Sequence, residues 1–165
     1  MTIDRIIRNG LFAHRLTRKA FPRDVLADIK TAITASETRH RGELRFVIEG
    51  HLPIYRLLLG TTSRQRAERL FDRMGVNQTL EHSGILIYVL LAERRVEIVA
   101  DSGIVALVAQ ATWDAICAGM IEHFRQSDFR TGALQGIAQT TELLASNFPA
   151  HGGNPNELPD APVVL

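Results

Sequence analysis

The stretch from Gly84 to Ala92, GILIYVLLA, constrains the fold more than any other part of the chain. An antiparallel strand with one wet face alternates apolar and polar residues, whereas this run is apolar almost without a break. Both of its faces must be buried, so it is the central strand of a sheet with helices on each side. RVEIVAD, residues 95–101, alternates with a period of two and pairs with it as a hairpin through residues 92–95. The turn carries neither Asn-Gly nor Asp-Gly, so spacing rather than turn chemistry supports the hairpin. Upstream, GELRFVIEG (residues 42–50) also has period two. Leu44, Phe46 and Ile48 share one face, and Glu43, Arg45, Val47 and Glu49 form a part-polar second face.

Helices separate these strands. Phe21-Pro22 breaks a first helical segment from a second, in which Val25, Ile29, Ala32, Ile33 and Ser36 recur at helical spacing from Arg23 to Thr38. Pro53 in HLPIYRLLLG (residues 51–60) argues against a central strand and leaves a short helical turn or packed loop. Thr62 with Gln65 forms a capping-box pattern, Ala67, Leu70, Phe71 and Met74 form a buried stripe, and Gly75 is a natural stop. After the hairpin come a short apolar helix from Ile104 to Gln110, a helix capped by Thr112, and a third from Gly132 to Asn147 ended by Pro149. The fold class is α/β: a three-layer α/β/α sandwich with a small mixed sheet. The first two strands run parallel through a crossover helix, and the third runs antiparallel to the second.

The domain organisation that follows is a basic amphipathic helix over residues 1–20, an α/β domain over 21–149 and an extended tail over 150–165, unless Val163 to Leu165 dock on a sheet edge. No window of about twenty apolar residues and no secretory signal is visible, which points to a cytoplasmic protein without a transmembrane segment. Arg5, Arg8, Arg15, Arg18 and Lys19 share the first segment with Ile3, Ile7 and Leu11. That pattern is a basic solvated helix face, or else leaves peripheral attachment to a membrane surface open.

Several function classes are disfavoured. A net charge of +1 and few aromatics, not interleaved with basic residues, give no nucleic-acid platform. The one cysteine, Cys117, excludes an intramolecular disulfide and a multi-cysteine zinc site, and reads as a small core residue. No His-x-x-x-His pair, no Gly-rich phosphate loop and no Gly-x-Ser-x-Gly elbow is present; TGALQG is a helix with glycines.

The topology gathers chemistry at one edge. The start of the first strand (Glu43), the start of the second (Glu81, His82, Ser83) and the end of the third (Asp101, Ser102) lie together. Hard oxygen ligands of this type suit calcium or magnesium, with Glu43, Glu81 and Asp101 as the ligands. Asp101 before Gly103-Ile104 equally suits a helix cap. Glu49, His51 and Glu93 to Arg95 fall at the opposite edge, which the rule for open α/β sheets favours for ligands.

RGELRFVIEG, RAERLFDRMGVNQTLEHSGILIYVLLAERRVEIVADSGI, the later W..I...M...F and FP near the end together resemble the TPM-domain family, in its short bacterial form, over roughly Phe21 to Pro149. The resemblance implies an α/β/α sandwich of the thylakoid-lumen phosphatase-like type, some of whose members resemble acid phosphatases and bind calcium through an acidic cluster. Carried over, Glu43 and Arg45 match the start of the family's first strand, and Asp101 matches the Asp that ends its third. His82 and Ser83 replace an Arg-Asn pair, and Glu93 stands where Asp is usual. The first functional reading is a cation-binding domain with weak phosphomonoester hydrolase activity, using Asp101, Glu43, His82 and Arg45. The alternative is a non-enzymatic adaptor for a protein partner or membrane-associated assembly, using the first helix or the tail NELPDAPVVL.

Overall fold

A computed structural model of the chain describes Arg5, Asn9, residues 14–150 and residues 156–165. Ile3, Ile7, Arg8 and Leu11 lie outside the described residues, and with them most of the expected amphipathic helix over 1–20. The elements in chain order are α1 (His14–Ala20), α2 (Arg23–Glu37), β1 (Glu43–Glu49), α3 (Ile54–Leu58), α4 (Ser63–Arg73), β2 (Gly84–Leu90), β3 (Arg95–Ala100), α5 (Ser102–Val105), α6 (Gln110–Arg125), α7 (Phe129–Asn147) and β4 (Val163–Val164).

The four strands form one mixed sheet in the order β3-β2-β1-β4. β1 and β2 are parallel, with Glu43 opposite Gly84 and Glu49 opposite Leu90. β2 and β3 are antiparallel, with Ile85 opposite Ala100 and Leu90 opposite Arg95. All seven residues of β2 are buried, as a continuous apolar run requires. Its odd and even positions feed two separate cores. Ile85, Ile87 and Val89 join Phe46, Ile29, Trp113, Ile137 and their neighbours under α2, α6 and α7. Leu86, Tyr88 and Leu90 join Val47, Leu57, Leu70 and Val76 under α3 and α4. The sheet is thus the middle of three layers.

Local chemistry explains most boundaries. Thr62 and Gln65 form the reciprocal capping box of α4, and Gly75 ends it at φ 71°, in the left-handed region. Two helix starts differ from expectation. α6 begins at Gln110 behind Ala109, with no side-chain cap, so Thr112 lies within its first turn rather than before it. α7 begins at Phe129 because Asp128 caps it, accepting from the Thr131 amide at 3.3 Å. Residues 54–58 are helical, and the short apolar helix after β3 spans only Ser102–Val105. The glycines of TGALQG serve close packing: a Cβ at Gly136 would lie 2.4 Å from the Met120 sulfur of α6.

β1 is buried on both faces, so its polar face is not wet. The tail is the reason. Val47 and Ile48 pair in parallel with Val163 and Val164, and the Leu165 amide donates to the Ile48 carbonyl at 2.9 Å. β1 would otherwise offer an open edge to other chains. Among the described residues no helix is long and apolar enough to cross a membrane.

Candidate functional site

Glu43, Glu81 and Asp101 do lie at the same edge of the sheet, but each has a different partner. Glu43 is buried and held by the tail: its two carboxylate oxygens accept from the backbone amides of Glu157 and Leu158 at 3.0 and 3.1 Å. Burial pushes its pKa up, and those two amide bonds oppose the shift. Glu81 forms a half-exposed ion pair with Arg41. Asp101 caps α5, its Oδ1 accepting from the Ser102 amide at 2.6 Å. The expected three-carboxylate cluster does not assemble: among the described residues no group of three His, Cys, Asp or Glu side chains could hold a metal ion.

Gly84 shows why. It pairs with Glu43 on one side and accepts from the Asp101 amide at 2.9 Å on the other. Glu43 and Asp101 are therefore two strand spacings apart, roughly 9–10 Å. The Val76 carbonyl fills the space above Gly84, where a Cβ would sit 2.0 Å from its oxygen. Backbone, not a cavity, lies between the two carboxylates.

Asp101 keeps one feature beyond its cap. Its Oδ2 is buried and receives no hydrogen bond, and it lies 3.6 Å from His82 Nδ1. The His82 side chain is 64% exposed, and its backbone is left-handed at φ 50°, unusual for a residue with a side chain. The carbonyls of Glu81 and His82 press on the glycine that follows: a Cβ at Gly103 would lie 2.8 and 2.7 Å from them. His82 and Asp101 thus lie side by side at the expected edge. Arg45 stands apart from it. It is buried on the tail side of β1 with Nη1 unpartnered, and burial lowers its pKa against the opposing charges of Asp160 and Glu43.

The opposite edge holds a polar cluster that sequence reasoning missed. Glu49 accepts from Arg66 at 2.8 and 2.9 Å, one bond on each oxygen, and from the Tyr88 hydroxyl at 2.7 Å. All three residues are buried. A signal existed: Arg66 lies four residues before Leu70, on the apolar stripe of α4, where a charge needs a partner. Nearby, Glu93 accepts from Arg5 Nε at 2.7 Å and from the Asn9 side chain at 3.2 Å. Arg5 is therefore not part of a solvated basic face. Glu37 and His40 form a Glu-x-x-His spacing at the end of α2, against the expectation that the sequence holds no such pair. Glu37 turns to Asp160 of the tail, and burial first, then Asp160, lifts its pKa to about 8. Cys117 packs against the core, and burial pushes its thiol to about 12, which leaves it unreactive.

A sheet covered by helices on both faces, with its third strand ending in a capping Asp, defines an α/β/α sandwich. The sequence profile of the TPM domain matches residues 17–143, and the chain belongs to that family. A comparison with curated proteins gives no match. Among solved structures, the NMR structure of the BA42 protein from the psychrophilic bacterium Bizionia argentinensis is similar at 26% identity and a TM-score of 0.72, covering 86% of this chain and 93% of that one. The N-terminal domain of a protein from P. gingivalis shares the fold at 18% identity and a TM-score of 0.63, covering 82% and 85%.

Proposed function

We propose that the protein binds a divalent cation weakly at the Asp101–His82 edge, calcium fitting better than magnesium. The observation that carries this is the buried, unpartnered Oδ2 of Asp101. A buried carboxylate oxygen without a donor is costly unless a cation or proton takes it. Only one carboxylate is free, so the remaining ligands have to be carbonyls, a hydroxyl and water. Calcium accepts such a set in flexible geometry, whereas magnesium demands an octahedron. A carboxylate-poor site belongs in the weak class, with Kd on the order of 10⁻⁴–10⁻³ M.

Titration of the protein with calcium, followed by backbone amide shifts, tests the reading. Shifts centred on residues 81–83 and 101–103 are expected, abolished by Asp101→Asn and retained in Glu43→Gln. No change at about ten times the upper Kd of that class overturns it. A bound cation would polarise a phosphoryl oxygen, which is the chemistry of the weak phosphomonoester hydrolase we assign to the same edge. The chain's own contribution there is His82, whose exposed imidazole Nδ1 lies 3.6 Å from Asp101 Oδ2. Hydrolysis of p-nitrophenyl phosphate lost in both Asp101→Asn and His82→Ala supports that assignment, and hydrolysis that survives either refutes it.

The adaptor reading is favoured by a different observation. Ile54, Tyr55, Leu58 and Leu59, on and just after α3, are all more than half exposed. An apolar patch of this kind marks a contact surface more often than an isolated exposed leucine does. The tail is a poorer candidate, because its Val163 and Val164 already pair with β1. Loss of a partner on Tyr55→Ser with Leu59→Ser, and not on tail deletion, is the expected outcome.

A further inference from the structure

At the carboxyl end of β2, on the far side of the sheet from Asp101, a cavity of about 350 Å³ opens beside the hairpin turn. Its floor is the end of β2, Val89 and Leu90, with Leu91 just after it. Leu16 of α1, Phe124 of α6 and Phe129 of α7 supply apolar walls, and the two phenylalanine rings stack at 5.3 Å. The charged residues that line it are Lys19, Arg94, Arg95 and Arg125. No carboxylate lines it among the described residues. Arg125 has an exposed partner, Glu122, at 3.3 Å. Among the described residues Lys19, Arg94 and Arg95 form no ion pair.

In a chain whose net charge is only +1, four cations around one apolar hole with no carboxylate among them are a local concentration. Backbone geometry adds a second, independent observation. Three non-glycine residues have left-handed φ among the described residues, and two of them, Arg94 at 50° and Ser127 at 62°, line this cavity. Strained backbone of this type collects at binding sites. The hairpin turn could have used Gly or Asn at Arg94 without strain, yet it carries a cation there. The placement is also where open α/β sheets bind ligands, outside the carboxyl ends of the parallel strands.

We propose that this cavity binds a small anionic amphiphile, a molecule with an apolar body and a single carboxylate or phosphate head. At about 30 Å³ per water-sized unit the volume admits roughly a dozen non-hydrogen atoms, the size of a medium-chain acyl anion. The apolar body lies on Leu16, Phe124 and Phe129, and the oxyanion meets Arg94 and Arg95 at the mouth. Arginine is suited to this role because its planar fork donates twice to one carboxylate or phosphate.

The probe is decanoate, titrated against the full chain and followed by amide shifts, with decanol and acetate as half-molecule controls. Decanoate is expected to shift residues 89–95 and 124–129, while neither control does so at the same concentration. Arg94→Gly suits a left-handed backbone and so keeps the fold. Together with Arg95→Gln it should weaken decanoate binding by about tenfold or more, the loss expected for removing charge-assisted hydrogen bonds. Equal binding of decanol would show an apolar hole without anion recognition and would overturn the proposal. So would unchanged affinity in the double variant. Vesicles containing phosphatidylglycerol form the last arm: protein that sediments with them but ignores free decanoate recognises a membrane surface instead, which also overturns it.

Discussion

Replacing Arg66 by Met is the most demanding test of how the core under α4 is held. Glu49 is almost fully buried, with its side chain 4% exposed, and three donors among the described residues reach it. Two come from Arg66 and one from Tyr88. Arg66→Met removes the counter-charge and two of the three bonds while keeping much of the apolar stem. Glu49 is then a buried carboxylate held by one hydroxyl. Breaking such a pair by removing one partner costs about 3–5 kcal/mol. Set against a total stability of about 5–15 kcal/mol, that is a large fraction, and it corresponds to roughly 6–20 °C in Tm for a chain of this size. Tyr88→Phe removes a single charge-assisted bond and should cost less, about 1.5–3 kcal/mol. Glu49→Leu combined with Arg66→Met removes both charges and should recover much of the loss, because a hydrophobic pair replaces a buried ion pair at little net cost. Urea unfolding followed by far-ultraviolet circular dichroism gives all three values from midpoints at a constant m-value. A cost below about 1 kcal/mol for Arg66→Met would refute the argument. A double variant less stable than Arg66→Met alone would refute it as well.

Two further predictions concern the edges. Gly84→Ala should strongly destabilise the chain, because its Cβ would lie 2.0 Å from the Val76 carbonyl and neither backbone can yield; a Tm within a degree or two of wild type would contradict that close approach. Glu37 has its folded pKa raised from 4.5 to about 8, so between those values the folded chain binds more protons than the unfolded one and stability falls as pH rises. Its contribution is complete below 4.5 and lost as pH passes 8; Glu37→Gln should flatten the stability profile over that window, and an unchanged slope in urea midpoints would count against it.

The layers of this fold were legible because they rest on periodicity. Gly84 to Ala92 reads as buried on both faces, and it is. The capping box of Thr62 and Gln65 and the left-handed Gly75 are local chemistry, and both stand where the pattern puts them. What periodicity could not supply was the wetness of a polar face. Glu43, Arg45 and Glu49 alternate with apolar residues as a solvent-facing set would. The amides of Glu157 and Leu158, more than a hundred positions away, hold the Glu43 end of that face, and two residues of β4 pair with Val47 and Ile48 further along. Arg66 covers the other end. Long-range partners of this kind leave no mark on the strand they bury.

The same reason governs the site. Topology alone brings Glu43, Glu81 and Asp101 to one edge, and a carboxylate count there suggests a metal cluster. Yet an edge is a row of backbone as well as of side chains, and backbone has first claim on both space and charge. The Val76 carbonyl occupies the gap over Gly84, and the tail's amides and Arg41 take two of the three carboxylates. Of the three, only Asp101 keeps a buried oxygen unclaimed, because a cap needs one oxygen and a carboxylate has two. Capping and ligand binding are therefore not rival roles for Asp101. The cap on Ser102 fixes the carboxylate plane, and that fixed plane holds Oδ2 buried beside His82, where a free side chain would have turned to water.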